Sequence, residues 1–144
     1  MMLNKNTYAT INTDNADDLF ALPEKVLQFG TGVLLRGLPD YFIDKANKQG
    51  LFNGRIVVVK STDQGGTDAY AVQDGLYTLL EKGIENGLPV ERTTINASIS
   101  RVVSAKTEWQ AVLDCAANPD IQIIISNTTE VGITLVASDV NSLL

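Results

Sequence analysis

Apolar residues along the chain fall into short runs, separated by polar stretches rich in glycine, asparagine and aspartate. Residues 1–23 form a polar lead-in that carries Asn4, Asn6, Asn12 and Asn15 and closes at Pro23. Lys25-Val-Leu-Gln-Phe-Gly30 predicts a short buried strand running into glycine. Leu34, Leu35, Leu38, Phe42, Ile43 and Ala46 recur at helical spacing and predict one buried helix face, with Gly50 as the stop. Pro39 interrupts that pattern, because a proline there removes the donor to the carbonyl of Leu35. The helix therefore either starts late, near Gly37, or kinks.

Arg55-Ile-Val-Val-Val-Lys60 reads as a central strand buried on both faces, since three consecutive β-branched residues suit that position. Residues 61–75 read as loop. Residues 76–82 and 90–95 predict two strands joined by a polar, glycine-containing connection, an antiparallel excursion from the main pattern. A further strand is expected at 99–103. Thr107 followed by Gln110 fits a capping box, so a helix is expected over 108–117, burying Trp109, Val112, Leu113 and Ala116. Cys115 and Tyr77 read as packing residues. Residues 121–126 predict another apolar strand, and 133–136 one more. The alternation of strands and helices predicts an α/β domain with a mostly parallel sheet.

The chain has 144 residues, the length of one domain. Eleven basic against seventeen acidic side chains give a net charge of −6, which argues against a binder of nucleic-acid phosphates. There is no histidine, which removes histidine-dependent triads and histidine-ligated metals from these residues. A single cysteine excludes an internal disulfide and a CxxC knuckle. No apolar run is long enough to span a membrane, and residues 1–18 lack the pattern of a secretory signal. A cytoplasmic location is expected, with no membrane partner and no metal site.

The candidate chemistry lies at the first strand-to-helix turn. The segment Val26, Leu27, Gln28, Phe29, Gly30, Thr31, Gly32, Val33, Leu34, Leu35, Arg36 and Gly37 places a GxG step between a strand and a helix. Gly30 would permit the tight turn, and Gly32 would let the backbone approach a pyrophosphate. The third glycine of the full GxGxxG pattern would fall at Leu35, so the match is partial. The alternative is a tight turn with no ligand. Arg36 would reach phosphate or be solvated. Lys60 ends the second strand, where a ribose-binding carboxylate is usual. It would favour a 2′-phosphate or simply be a solvated charge, while Asp63 lies three residues past the expected place. Asn127, Thr128, Thr129 and Glu130 follow another strand, and would hold a ribose or nicotinamide amide or form only a capped turn. These residues alone predict a Rossmann-like domain that binds a dinucleotide, either NAD or NADP.

Residues 26–37, Arg55–Lys60, Gln73–Thr78 and Ser126–Ile133, in that order, together resemble the mannitol dehydrogenase family, the polyol-specific long-chain dehydrogenases/reductases. The resemblance implies an NAD-dependent oxidoreductase. The nearest likeness is to members that interconvert tagaturonate and altronate in hexuronate breakdown; members acting on fructuronate or mannitol are alternatives. It implies that 26–37 is the dinucleotide loop and that 127–130 lie near the nicotinamide. It also implies a helical substrate domain absent from this chain, carrying the catalytic lysine with its asparagine and histidine partners and binding the sugar acid. Residues 24–144 are then expected to be a fragment, inactive alone, with an incomplete sheet prone to self-association. A dinucleotide-sensing module without catalysis, and an α/β interaction domain with purely structural glycines, are the rival readings.

Overall fold

A computed structural model describes residues 3–11, 16–61, 68–128 and 133. Two helices, α1 (Lys5–Ile11) and α2 (Ala16–Ala21), precede strand β1 (Glu24–Phe29). Helices α3 (Val33–Gly37) and α4 (Pro39–Lys48) lead to β2 (Arg55–Lys60), and α5 (Asp68–Val72) to the strands β3 (Tyr77–Glu85) and β4 (Leu88–Asn96). Strand β5 (Ile99–Ser104), helix α6 (Trp109–Ala116) and strand β6 (Ile123–Ser126) follow.

Strands β5, β2, β1 and β6, in that order, form one parallel sheet. Every residue of β2 is buried, as its β-branched run requires of an interior strand. One sheet face packs Val26, Ile56, Val58 and Ile99 against Ile43, Phe52 and Tyr77. The other packs Leu27, Val57, Val59 and Val103 against Val112 and Cys115 of α6. The antiparallel excursion is a separate hairpin of β3 and β4. Both strands run longer than their apolar runs, because Asn86 and Gly87, at φ 52° and 80°, close a two-residue turn with both residues left-handed.

Several expectations change. Residues 1–23 are not a bare lead-in. Tyr8, Ala16 and Leu19 from α1 and α2 form a third apolar cluster with Leu76 and Ala97. Thr107 does not cap α6: Glu108 stands at that position, and its Oε2 accepts from the Ser104 N–H at 2.9 Å. Of the expected buried face of α6, Val112 and Cys115 are buried as expected, but Trp109, Leu113 and Ala116 are exposed.

The helix after the glycine run differs most. It breaks at Leu38 and restarts with Pro39 at its N-terminus, where the missing N–H costs nothing. Gly50, at φ 68°, follows its end. Leu34, Leu38 and Phe42 are exposed, while α4 buries Asp40, Asp44 and Asn47. The polar residues face inward because backbone groups of neighbouring loops need them. Asn47 accepts from the Gly54 N–H at 3.0 Å and donates to the Gly54 carbonyl at 2.7 Å. Asp44 accepts from the Ala97 N–H at 2.8 Å and pairs with Lys48 at 2.6 Å. The expected strand at 133–136 lies outside the described residues apart from Ile133.

Candidate functional site

The chain crosses from β1 to β2 to β5 in one direction and then returns to the opposite side of β1 as β6. That reversal leaves a crevice at the carboxyl ends of β1 and β6, the place where open parallel sheets take their ligands. Phe29 and Ser126 stand abreast in the register, so Gly30 and Asn127 face one another across it. A Cβ on Gly30 would lie 3.2 Å from Leu35 Cδ1 and 3.8 Å from Asn127 Oδ1. Gly30 also has φ 114°, which side-chain-bearing residues rarely adopt. Its N–H donates to the Val59 carbonyl at 2.9 Å, tying the turn to β2. Gly32 is extended and precedes α3, and nothing stands within 4 Å of where its Cβ would be. One glycine thus permits close packing and the other borders open space.

The sequence-predicted residues divide accordingly. Gly30, Thr31, Gly32, Asn127 and Thr128 lie at the two strand ends that border the crevice. Val26 and Leu27 belong to opposite apolar cores and present no ligand surface. Gln28 is fully buried and Phe29 packs on the α6 side. Val33, Leu34 and Gly37 are exposed, whereas Leu35, at the third-glycine position, is buried against Gly30. Arg36 is not simply solvated: its guanidinium lies 6.0 Å from the Tyr77 ring centroid. Lys60 is only 7% exposed, so the reading of a solvated strand-end charge does not hold. Asp63, Thr129 and Glu130 lie outside the described residues.

A buried polar cluster beneath the glycine turn escaped the sequence reading. Gln28 Nε2 donates to the Gly30 carbonyl and to Asp40 Oδ2, both at 3.4 Å. Asn96 Nδ2 donates to the Asp40 carbonyl at 3.0 Å, and the Tyr77 hydroxyl donates to the Arg36 carbonyl at 2.8 Å. Burial pushes the Asp40 carboxyl up to about 7, against the hydrogen bond from Gln28 and the charge of Arg36. Burial, with the charges of Asp40 and Asp44, also raises the Tyr77 hydroxyl. The one sequence signal for Asp40 was its place after Pro39, an acidic residue in the first turn of a restarted helix.

No protein-family model matches the chain. Among curated proteins it is 47% identical over 114 residues to the altronate oxidoreductase of Halalkalibacterium halodurans, covering 78% of this chain and 22% of that one. It is 40% identical over 131 residues to the altronate oxidoreductase of Bacillus subtilis, covering 91% and 26%. The chain is a partial-length relative of the altronate oxidoreductases. It spans about a quarter of the length of these relatives. Among solved structures, Pseudomonas fluorescens mannitol 2-dehydrogenase in a ternary complex with NAD and D-mannitol superposes with a TM-score of 0.71 at 27% identity. That match covers 88% of this chain and 26% of the dehydrogenase. A substrate-free D-sorbitol dehydrogenase shares the fold, with a TM-score of 0.75 at 19% identity over 96% of this chain and 29% of that one. The expected α/β fold and the resemblance to the mannitol dehydrogenase family stand on these matches. The altronate oxidoreductase relationship covers residues that include the crevice-forming strands.

Proposed function

We propose that this chain provides the dinucleotide-binding part of an NAD-dependent oxidoreductase that interconverts tagaturonate and altronate. The observation that carries the reading is the glycine turn at the switch point of a parallel sheet, in a relative of altronate oxidoreductases. The residues fit the group. Gly32 borders open space where a pyrophosphate would lie against backbone, and Asn127 offers an amide across the crevice. NAD, when bound, supplies the nicotinamide carbon that gives or takes a hydride. Gly30 to Gly32 hold its phosphates, and Asn127 and Thr128 orient the nicotinamide half. Lys60, Asp63, Thr129 and Glu130 remain candidates for the ribose and nicotinamide contacts. No residue here is assigned as the acid or base, and the sugar acid is bound elsewhere in the enzyme, so the chain alone is expected to give no turnover.

Calorimetric titration of the folded chain with NADH, then NADPH, tests this. Gly32→Asp is the informative variant. Aspartate has room there and is a favoured residue before a helix, so the fold is kept while a charge opposes the phosphates. Binding of NADH by the wild-type chain, weakened at least about tenfold by Gly32→Asp, is the expected result. Equal binding by the variant would remove the glycine turn from the site. The NADPH arm reads whether a 2′-phosphate is accepted beside Lys60.

A further inference from the structure

We propose that Asp40 is a positioning residue for the glycine turn, acting through Gln28 on the Gly30 carbonyl. The inference rests on the dinucleotide reading above for its consequence, but not for its geometry. Asp40 and Gln28 are both wholly buried, on α4 and β1 respectively. The Gln28 amide nitrogen, with one N–H for each, lies 3.4 Å from both the Gly30 carbonyl and the Asp40 carboxyl, long for such bonds and drawn close to neither. Gln28 Oε1 and Asp40 Oδ1 find no hydrogen-bond partner among the described residues. An amide nitrogen held at long distance by two acceptors moves towards the one that becomes more negative, lengthening its bond to the other.

The proton on Asp40 decides which acceptor that is. An ionised carboxylate is the stronger acceptor and draws the amide away from Gly30. A neutral carboxyl releases it to the Gly30 carbonyl and removes a negative charge from beneath the turn. The groups facing Asp40 are Arg36 from α3, Gln28 from β1 and Tyr77 from β3, with Asn96 from β4 on the Asp40 carbonyl; Asp44 from α4 also acts on Tyr77. Of these only Arg36 opposes the neutral state by charge, and burial outweighs it, leaving Asp40 to titrate near neutral pH. The neutral state is the one that favours an anion above the turn, so dinucleotide affinity falls as pH rises through that range.

The test follows the backbone amides of Gly30 and Thr31 and the Asp40 carboxyl carbon by NMR from pH 5 to 9. Both amides are expected to titrate with the midpoint of Asp40. In Asp40→Asn the amide titration disappears, with the resonances near their low-pH wild-type positions. In Gln28→Leu, Asp40 still titrates and the amides no longer follow. Amides that stay still while Asp40 titrates, or that titrate in Asp40→Asn, would overturn the proposal. The Kd for NADH is expected to rise at least about fivefold between pH 6 and 8 in wild type and to be flat in Asp40→Asn. A flat wild-type profile would overturn the role of Asp40 in binding. Failure of folded wild type to bind NADH at any pH would sink the dinucleotide reading, while the amide titration still decides the positioning.

Discussion

At the scale of single residues, two positions carry more of the fold than their chemistry suggests. Gly75 has φ 78°, and a Cβ there would come within 2.4 Å of the Ile99 carbonyl oxygen. That neighbour is the backbone of a sheet strand and cannot yield cheaply. Gly75→Ala is expected to cost about 2 kcal/mol or more, read as a lower urea midpoint. Glu24 receives two hydrogen bonds from Arg101, at 2.8 and 3.0 Å, and one from Ser100 at 2.8 Å. The bonds from Arg101 hold its carboxyl below the usual value against the opposing effect of burial. A lowered carboxyl contributes stability above its unfolded pKa and loses it as pH falls through its folded one. Glu24→Gln is therefore expected to destabilise at pH 7 by about 0.5–1 kcal/mol, given a partly exposed partner. The deficit should shrink towards zero near pH 3 in urea unfolding series. Neither residue stood out in the sequence. The steric demand on Gly75 and the partner of Glu24 come from residues more than twenty positions away, whereas Gly30 and Gly32, next to their own strand and helix, announced themselves locally.

At the scale of elements, α4 shows why the apolar pattern misled. Hydrophobic spacing assumes that a helix meets an apolar surface. This helix also meets the loop backbones at Gly54 and Ala97, whose N–H and carbonyl groups are bonded by its asparagine and aspartate. Leaving such groups unmet costs more than exposing a leucine. Asn47→Ala is accordingly expected to destabilise by about 2 kcal/mol. Phe42→Ser, on the face the pattern marked as buried, should change stability by no more than about 0.5 kcal/mol. Thermal or urea unfolding of the two variants distinguishes the observed orientation from the expected one. The strands β1 and β2 were more legible, because their central residues are buried on both faces and need no partner of a particular polarity.

At the scale of the whole molecule, the α/β class and the position of the glycine turn were readable in the sequence, since both follow from the order of local elements. The strand order was not, because nothing local says that β6 returns to the far side of β1. That return has a consequence for motion. The crevice has two walls of unequal permanence. On one side β1 is flanked by β2 and held by hydrogen bonds on both edges. On the other, β6 is four residues long, largely exposed, and paired only to β1 among the described residues. Amide exchange should run fastest in β6 and slowest in β2; equal protection of the two would contradict this. A local opening of the crevice is then expected to start at β6, the least buried strand of this sheet among the described residues, and slower amide exchange there on adding NADH would show an occupant holding that wall in place.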